Sequence, residues 1–440
     1  MRLVSTAGHA PEIGFCEAVL NGLAPDGGLY VPLDLPRVTM DELAAWQALP
    51  FDRLSVQLAG KLLAGEFPAG VAARLTEDAL NFPVPTVRLD THLSVLELFH
   101  GPTLAFKDFG ARFLARVFGH LLAERGDHAT ILVATSGDTG SAVARGFAGV
   151  PRVRVVVLYP AGRVSAFQEA QMASIGGNVS AIRVHGSFDD CQRMVKAAFQ
   201  DPALEALRLS SANSINIGRL LPQSFYYVAS YLASVRVVGD PVVFSVPSGN
   251  LGNLTAGVLA ARMGVPISRF LAATNVNDVL PEYLATGIFR PRPSTATISN
   301  AMDVGDPSNF ARLQHVYRNS PAAIRAEILG ERVTEADTRA AIRDGSARYG
   351  RVFDPHAAVA YAAARRHLGG GAGSPPTVVV ATAHPAKFGD AIRDELGFEP
   401  VLPESEQGWR AWPNHATDLA DPSPAAFSRL LCNLRDTPPV

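Results

Sequence analysis

One lysine lies in a short segment of aromatic, aliphatic and proline residues that spans residues 100–109. A lysine whose ammonium group is partly withdrawn from water has a lowered pKa, so it can attack a carbonyl carbon and carry protons. A single lysine in a loop is more often solvated and without a chemical role, so this interpretation depends on what accompanies it. We take Lys107 as the candidate catalytic residue.

Three stretches of the chain each combine an apolar strand, a turn rich in glycine and hydroxyl residues, and a helix. The turns are residues 135–141, 247–253 and 382–385. Each turn precedes a helix N-terminus, where free N–H groups and the positive end of the dipole favour anions. If the three strands are parallel, we expect the turns to meet at one edge of a sheet, where doubly wound folds bind ligands.

The glycines of the second turn indicate what kind of ligand it could hold. Gly249 and Gly252 carry no side chains, so backbone amides could approach phosphate oxygens there. No lysine follows as in a Walker loop, and the spacing does not match the dinucleotide fingerprint. Close packing of the helix on the strand explains such glycines equally well. The other interpretation is a small phosphorylated cofactor that is held mainly by backbone amides and carries an aldehyde, which Lys107 could attack.

This combination resembles the fold type II pyridoxal-phosphate enzymes and, among them, the threonine synthases. The motifs lie in the order of that family and extend to an N-terminal segment, residues 22–32, so the resemblance covers nearly the whole chain. The matching segments are residues 100–110, 135–140, 211–219, 248–253, 273–278, 299–304, 354–359 and 382–388.

The resemblance implies an α/β fold with two open twisted sheet domains of the tryptophan synthase β-like kind, preceded by a partly helical N-terminal domain. We place the N-terminal domain at residues 1–92, the smaller sheet domain at 93–235 and the larger one at 236–395. Residues 396–440 form a C-terminal extension. Within the larger domain, residues 288–309 read as a long irregular segment, which is often functional.

The resemblance further implies pyridoxal 5'-phosphate, held by Lys107 through a Schiff base, with its phosphate on the second glycine turn. Thr382 would hydrogen-bond the pyridine nitrogen. A hydroxyl does not keep that nitrogen protonated as a carboxylate would, so eliminations are favoured over transamination. The implied cofactor-binding residues are Lys107, Asp138, Ser248, Gly249, Asn250, Leu251, Gly252, Asn253 and Thr382.

Three positions depart from the pattern of relatives. Asp138 stands where the wider superfamily usually has asparagine, and a carboxylate beside the phenolic oxygen of the cofactor is favourable only if the two share a proton. The long-chain threonine synthases are similar in this respect. Ala7 stands where many relatives have arginine. Leu251 replaces a common phenylalanine, but the contact expected there is a backbone amide.

The implied activity is the conversion of O-phospho-L-homoserine and water into L-threonine and phosphate, the last step of threonine biosynthesis. The first of the three turns, residues 135–139, would bind the substrate carboxylate. Arg219 is the candidate for the substrate phosphate, because a guanidinium can bind phosphate bidentately. Alternatively, Asn213 or Ser214 caps a helix and Arg219 is solvated. The substrate-binding candidates are Thr135, Ser136, Thr139, Asn213, Ser214, Asn216 and Arg219.

Two other functions stay open. A serine/threonine dehydratase of the same superfamily would not need a second phosphate pocket. A catalytically silent homologue could bind the cofactor or a phosphorylated ligand as a sensor, although retention of Lys107 and all the turns argues against it. His100, His356 and His384 are candidates either for proton transfer or for a packed, hydrogen-bonded role in the core.

Composition limits the class of protein without identifying it. The chain has 440 residues, 48% of them hydrophobic, with a formal net charge of -2, which gives no reason to expect nucleic-acid or membrane partners. Cys16, Cys191 and Cys432 are too few and too scattered for a disulfide framework or a zinc site. No signal peptide or membrane span is apparent. We expect a cytoplasmic monomer or homodimer without a metal.

Overall fold

The computed structural model describes residues 1–135, 137–369 and 375–435. The N-terminal unit contains a small antiparallel sheet of order β2-β1-β3, on which helices pack. Its helices agree with the partly helical character expected for this domain. The elements are β1 (Arg2–Ser5), β2 (Ile13–Gly14), α1 (Phe15–Asn21), β3 (Tyr30–Pro32), α2 (Met40–Trp46), α3 (Phe51–Leu62) and α4 (Val71–Ala79).

Strands and helices alternate in the next segment, in agreement with the α/β fold that the resemblance implies. The longest of these helices starts at the candidate lysine. The elements are β4 (Thr86–Arg88), β5 (Leu93–Glu97), α5 (Lys107–Arg125), β6 (Ala129–Ala134), α6 (Asp138–Phe147), β7 (Val153–Pro160), α7 (Ala166–Ala173), β8 (Val179–Val184), α8 (Phe188–Ala198), β9 (Leu209–Ser210), α9 (Ile217–Leu220) and α10 (Gln223–Ser234).

The alternation resumes and continues to the end of the described chain. The predicted irregular segment at 288–309 holds one short 3-10 turn, Asn300–Met302, among its described residues. The elements are β10 (Val242–Pro247), α11 (Gly252–Arg262), β11 (Ile267–Thr274), α12 (Val279–Thr286), α13 (Phe310–Val316), α14 (Pro321–Glu327), β12 (Ile328–Arg332), α15 (Glu335–Tyr349), α16 (Pro355–Leu368), β13 (Thr377–Ala381), α17 (Gly389–Leu396), β14 (Thr417–Leu419) and α18 (Pro424–Arg435).

Two further sheets form the body of the protein. One has the order β12-β11-β10-β13-β5-β4 and is parallel except for β4. The other has the order β14-β8-β7-β6-β9 and is parallel throughout. Their central strands are continuous apolar runs, and every residue of β7 is buried. Such strands are typical of parallel sheets that are covered by helices on both faces.

Strand pairing differs from the sequence expectation in two places. The three glycine and hydroxyl turns do not share one sheet edge: β10 and β13 are neighbours in one sheet, whereas β6 lies in the other. That expectation was wrong because alternation alone does not tell which strands pair. Similarly, residues 93–97 form β5, which pairs with β13 and therefore lies in the sheet built mainly from residues 242–381.

The C-terminal extension completes the second sheet. Strand β14 pairs with β8 in parallel, and α18 packs on α8. Phe427 and Leu431 are buried there with Cys191 and Met194. Among the described residues, no helix has the length and apolar character needed to cross a bilayer.

Candidate active site

Lys107 is held against the end of β13. The segment before it runs beside the third turn: the Phe106 N–H donates to the Thr382 carbonyl at 2.8 Å, and the His384 N–H donates to the Leu104 carbonyl at 3.0 Å. Lys107 is the first residue of α5 and its Nζ lies 5.4 Å from the centre of the Phe106 ring. The backbone pairing therefore brings the candidate lysine to the turn that carries Thr382.

The charges around Lys107 act in opposite directions. Burial lowers the pKa of Lys107, Asp138 raises it, and Arg219 and Lys387 lower it further, so that the net direction is downward. A lysine with a lowered pKa has more neutral amine available near neutral pH. This is the property on which the sequence prediction for Lys107 depends.

Lys387 is a second lysine in this site, and the sequence analysis gave it no role. Its Nζ lies 2.7 Å from Asp138 Oδ1 and donates to the Thr103 carbonyl at 2.7 Å. Gln168 Nε2 donates to the same Asp138 oxygen at 2.9 Å. Burial alone would raise the pKa of Asp138, but Lys387 and Lys107 bring it well below its usual range. Lys387 follows His384-Pro385, so its place after a strand was the available signal.

The second turn presents unpaired donors at the start of α11. Leu251 has a φ of 61°, in the left-handed region, and α11 begins at Gly252, where the first N–H groups of a helix lack partners within the helix. Asn253 Nδ2 is buried and has no hydrogen-bond partner in the part of the chain that the structure describes, while its Oδ1 accepts from Tyr226 and Tyr227 at 2.8 and 2.7 Å. An unpaired buried donor beside a helix N-terminus fits a phosphate group, as the implied cofactor requires.

Other side chains of the second turn are already bonded to protein. The Ser248 hydroxyl donates to the Val246 carbonyl at 2.8 Å. Asn250 Nδ2 donates to the Ser214 hydroxyl at 2.7 Å, and Asn250 Oδ1 accepts from the Ser308 N–H at 2.7 Å. Asn250 thus links the second turn to residues 211–219, the segment that holds Arg219.

The first turn is shaped by its own hydrogen bonds. Thr135 Oγ1 accepts from the N–H groups of Gly137 at 3.0 Å and Gly140 at 2.9 Å. Gly137 has a φ of 141°, and a Cβ there would lie 2.6 Å from Gln168 Nε2, so only glycine fits. Thr139 is half-buried in the first turn of α6, and Ser136 lies outside the described residues. Substrate binding by these residues stays a prediction.

The residue that caps α9 is Asn216 rather than Asn213 or Ser214. Asn216 Oδ1 accepts from the Gly218 N–H at 2.9 Å, and its Nδ2 donates to the Val19 carbonyl at 2.9 Å. The Asn216 side chain is buried. The N–H of Asn213 donates to Ser211 Oγ at 3.3 Å. The amide of Asn216 is therefore engaged with the protein itself.

Arg219 is buried, with 3% of its surface exposed, so the alternative in which it is solvated was wrong. One terminal nitrogen donates to the Ala212 carbonyl at 2.8 Å, and Nε is buried without a partner among the described residues. Burial lowers the pKa of Arg219 to about 10, and Asp108 acts against that change. The guanidinium stays charged at neutral pH and retains an unused N–H.

Arg312 is a second buried arginine that sequence reasoning missed. It is fully buried and donates to the carbonyls of Tyr30 at 2.9 Å, Ser214 at 3.1 Å and Ile215 at 2.5 Å, and to Asn309 Oδ1 at 2.7 Å. Burial lowers its pKa to about 9. Arg312 ties the N-terminal unit to the segment that precedes Arg219. An arginine in an ordinary helix sequence gives no signal of such a role.

His356 supports the second turn from behind. Its Nδ1 lies 2.8 Å from Asp354 Oδ1, and its Nε2 accepts from the Ala301 N–H at 3.1 Å. A Cβ on Gly249 would lie 2.7 Å from Met302 Cα. His356 therefore holds the loop against which the second turn packs, which favours the packed, hydrogen-bonded interpretation.

The other two histidines have different surroundings. His384 Nδ1 accepts from the Ala386 N–H at 3.2 Å, and burial lowers the pKa of His384 to about 4. His384 is therefore neutral at pH 7. His100 is paired with Glu97 at 2.5 Å, and Glu97 also binds Arg351.

Family models cover most of the chain in three parts. Residues 83–383 match the family described as pyridoxal-phosphate dependent enzyme. Residues 2–80 match the threonine synthase N terminus, and residues 357–430 match threonine synthase, C-terminal. The first match alone spans more than half of the chain.

Curated proteins and solved structures agree with this assignment. The chain is 41% identical to the threonine synthases of Serratia marcescens and Escherichia coli, over 92% of this chain and 93% of each relative. The pyridoxal-phosphate-bound threonine synthase of Brucella melitensis superimposes with a TM-score of 0.93 at 38% identity, covering 98% of this chain and 99% of that one. The yeast threonine synthase superimposes with a TM-score of 0.91 at 31% sequence identity, covering 99% of this chain and 98% of that one. The chain therefore belongs to the threonine synthase family of pyridoxal-phosphate-dependent enzymes.

Proposed function

We propose that this chain converts O-phospho-L-homoserine and water into L-threonine and phosphate. The observation that carries the proposal is a pair of anion-binding candidates joined by a hydrogen bond, one of which contains Arg219, a group that acts on the charge of Lys107. Asn253 Nδ2 and the start of α11 form one candidate, and the unused Arg219 Nε belongs to the other. Asn250 joins them through its hydrogen bond to Ser214. A cofactor phosphate and a substrate phosphate would need two such places.

When bound, pyridoxal phosphate supplies an aldehyde for Schiff bases with amines and a ring that accepts electrons. Lys107 is the residue that would hold it. The N–H groups of Gly249 to Asn253 and the free Asn253 Nδ2 would bind its phosphate. Thr382, directly after β13, would bind the pyridine nitrogen through its hydroxyl.

The chain's own residues would then position the substrate and move its protons. Lys107 would take and return protons at Cα and Cβ, because a lysine of lowered pKa can be neutral near the working pH. The N–H groups at the start of α6, with Thr135, Ser136 and Thr139, would bind the substrate carboxylate.

Arg219 would bind the substrate phosphate together with Asn213 and Ser214, whereas the Asn216 amide is already bonded to the Gly218 N–H and the Val19 carbonyl. A guanidinium with an unpaired, buried N–H can donate to a phosphate oxygen without losing water at that moment. Phosphate would leave from Cγ, and water would add at Cβ. Arg219 is also the residue that a dehydratase would not need.

Substrate assays separate the alternatives. With O-phospho-L-homoserine the chain should release phosphate and threonine in equal amounts, and O-acetylserine with sulfide should give no cysteine. Rapid deamination of L-serine or L-threonine with inert phosphohomoserine would replace our proposal with a dehydratase. Spectral changes without turnover for every amino acid tested would indicate a ligand sensor.

Chemical trapping tests the cofactor-bearing residue. The purified protein should be yellow, and borohydride should fix the cofactor on Lys107. Lys387 serves as the internal control, because it lies in the same site but is bonded to Asp138 and Thr103. Peptide mapping that places the reduced adduct on Lys387, or a colourless protein that cannot be reconstituted, would contradict the assignment.

The role of Thr382 has its own test. A neutral pyridine suits a hydroxyl partner, so Thr382→Asp should protonate the ring, alter the visible spectrum and shift the product ratio toward transamination. An unchanged spectrum and product ratio would mean that Thr382 does not face the ring nitrogen.

We further propose a cytoplasmic monomer or homodimer. Cys16 and Cys191 are free thiols, and burial raises the pKa of each to about 12. Unpaired structural thiols are typical of a reducing compartment. Light scattering coupled to gel filtration measures the mass; a stable trimer or larger assembly would contradict this proposal.

A further inference from the structure

Two lysines share the candidate active site, and they differ in their partners. The Lys387 side chain is 0% exposed and its Nζ lies 2.7 Å from Asp138 Oδ1; the Asp138 side chain is 5% exposed. Lys387 also donates to the Thr103 carbonyl at 2.7 Å. Lys107 makes no ion pair within the described residues, although Asp138 acts on its charge.

The carboxylate of Asp138 creates a difficulty for Lys107. A lysine must be neutral to attack an aldehyde, and a carboxylate in the same water-poor surroundings stabilises the charged ammonium. Without another cation, Asp138 would become the natural partner of Lys107. Lys387 already occupies that carboxylate.

We propose that Lys387 is a positioning residue of this active site, which binds Asp138 in a buried ion pair and thereby leaves Lys107 free to lose its proton. The third N–H of the Lys387 ammonium is not used by Asp138 or Thr103, so it is left for a ligand oxygen. Lys387 acts through Asp138 on Lys107. The proposal depends on Lys107 as the cofactor-bearing residue and does not depend on the substrate.

Other charged groups face this pair from neighbouring elements and must be considered. Arg219 of α9 acts on Lys107. Lys387 acts on Asp108 of α5, His384 of the third turn and Glu406 of the C-terminal extension. The pKa values are about 6 for Asp108 and about 4 for His384.

Measurements above neutral pH therefore avoid the titrations of Asp108 and His384. We would label the cofactor-free, full-length chain with trace acetic anhydride between about pH 7 and pH 10 and quantify the Lys107 peptide by mass spectrometry. The rate at which the same protein captures pyridoxal phosphate gives a second measurement. Neither readout requires substrate or turnover, so failure here is distinguishable from failure of the proposed reaction.

We expect the two single variants, Lys387→Met and Asp138→Asn, to shift the Lys107 labelling curve in opposite directions. Lys387→Met should move the Lys107 labelling curve upward by about one pH unit or more, and slow cofactor capture near neutral pH about tenfold or more. Asp138→Asn should move the curve downward, because Lys387 then lacks its carboxylate partner. The double variant removes both charges and should return the curve close to the wild-type position. Lys387→Arg keeps the pair and should leave the curve nearly unchanged.

A curve that stays in place, or moves downward, in folded Lys387→Met would overturn the proposal. If Lys387→Met does not fold, Lys387→Gln decides in its place, because it removes the same charge but keeps an amide that can donate a hydrogen bond; a merely structural role predicts that its Lys107 curve stays in place. Far-UV circular dichroism of each cofactor-free variant establishes folding. In the cofactor-loaded proteins, the pH at which the visible absorption changes should move in the same directions as the labelling curves.

Discussion

Arg219 and Arg312 of the site are both buried, but they differ in how many of their N–H groups have hydrogen-bond partners. Each guanidinium has five N–H donors. Arg312 distributes its donors over three carbonyls and the Asn309 side chain. Within residues 1–135, 137–369 and 375–435, Arg219 donates one side-chain bond, to the Ala212 carbonyl, and keeps a buried Nε without a partner. Equal burial therefore does not imply an equal role.

The difference follows from what a buried cation costs. A charge withdrawn from water is unfavourable unless hydrogen bonds or an opposite charge compensate it. Arg312 is compensated by protein carbonyls, which fixes three chain segments in place. Arg219 is only partly compensated, and the missing partner is one that a bound anion could supply. We therefore expect Arg312 to determine stability and Arg219 to determine substrate affinity.

The largest expected effect is the loss of stability in Arg312→Met. This change leaves the carbonyls of Tyr30, Ser214 and Ile215 without their charged donor, which should destabilise the fold by about 3 kcal/mol or more. Thermal unfolding followed by circular dichroism should show a clear fall in Tm. Arg312→Lys keeps the charge but not the planar fork, so its Tm should lie between those of the wild type and Arg312→Met. An unchanged Tm combined with a large loss of kcat/KM would reverse the roles we assign.

The next effect concerns Asp108, the carboxylate that acts on Arg219. Burial raises the pKa of Asp108 to about 6 from its ordinary 3.8, so the folded state holds this proton more tightly than the unfolded chain does. The stability due to Asp108 is present below pH 4 and is lost as the pH rises through 6.

Relative to Asp108→Asn, the wild type should therefore lose up to about 3 kcal/mol between about pH 4 and pH 7. Thermal unfolding of both proteins across that range measures the difference. The titration of His384 has the opposite sign but occurs in both proteins, so it cancels. A constant difference in Tm across the range would show that Asp108 does not titrate as the structure indicates.

The contrast between Arg219 and Arg312 also marks what the sequence could reveal. The strands before the three turns were predictable, since they depend on local apolar patterns. Arg312 was not predictable, and the place of Lys387 after a strand gave only a weak signal, because their partners lie far away in the sequence: Arg312 binds Tyr30, and Lys387 binds Asp138. No local pattern reports a buried pair formed across two sheets.

Strand pairing shows the same limit. Both parallel sheets consist of similar apolar runs, so the sequence does not tell that β5 joins β13 or that β14 extends the sheet of β8. The ion pair between Asp138 of the first turn and Lys387, which follows the third turn, then joins the two sheets. The site was therefore predicted as a set of residues, whereas its assembly required the structure.

A third effect isolates the ligand-binding arginine. Loss of one charged phosphate contact costs about 1.5 to 3 kcal/mol, so Arg219→Ala should lower kcat/KM roughly ten- to a hundredfold while the cofactor spectrum stays intact. Arg219→Lys keeps a charge without the fork and should recover part of the loss. A variant with normal kinetics but a low Tm would make Arg219 structural, like Arg312.

The smallest effect separates capping from substrate binding at Asn216. Its side chain accepts from the Gly218 N–H and donates to the Val19 carbonyl, so Asn216→Ala should destabilise the protein by about 1 to 2 kcal/mol. Asn213, which is half-buried one turn earlier, provides the matched variant: Asn213→Ala should leave Tm nearly unchanged and raise KM if Asn213 contacts substrate. If Asn216→Ala raised KM with no change in Tm, Asn216 would join Arg219 as a ligand contact. Asn216 and Arg219 would then both act on the ligand, in contrast to Arg312, whose donors are bonded to the protein.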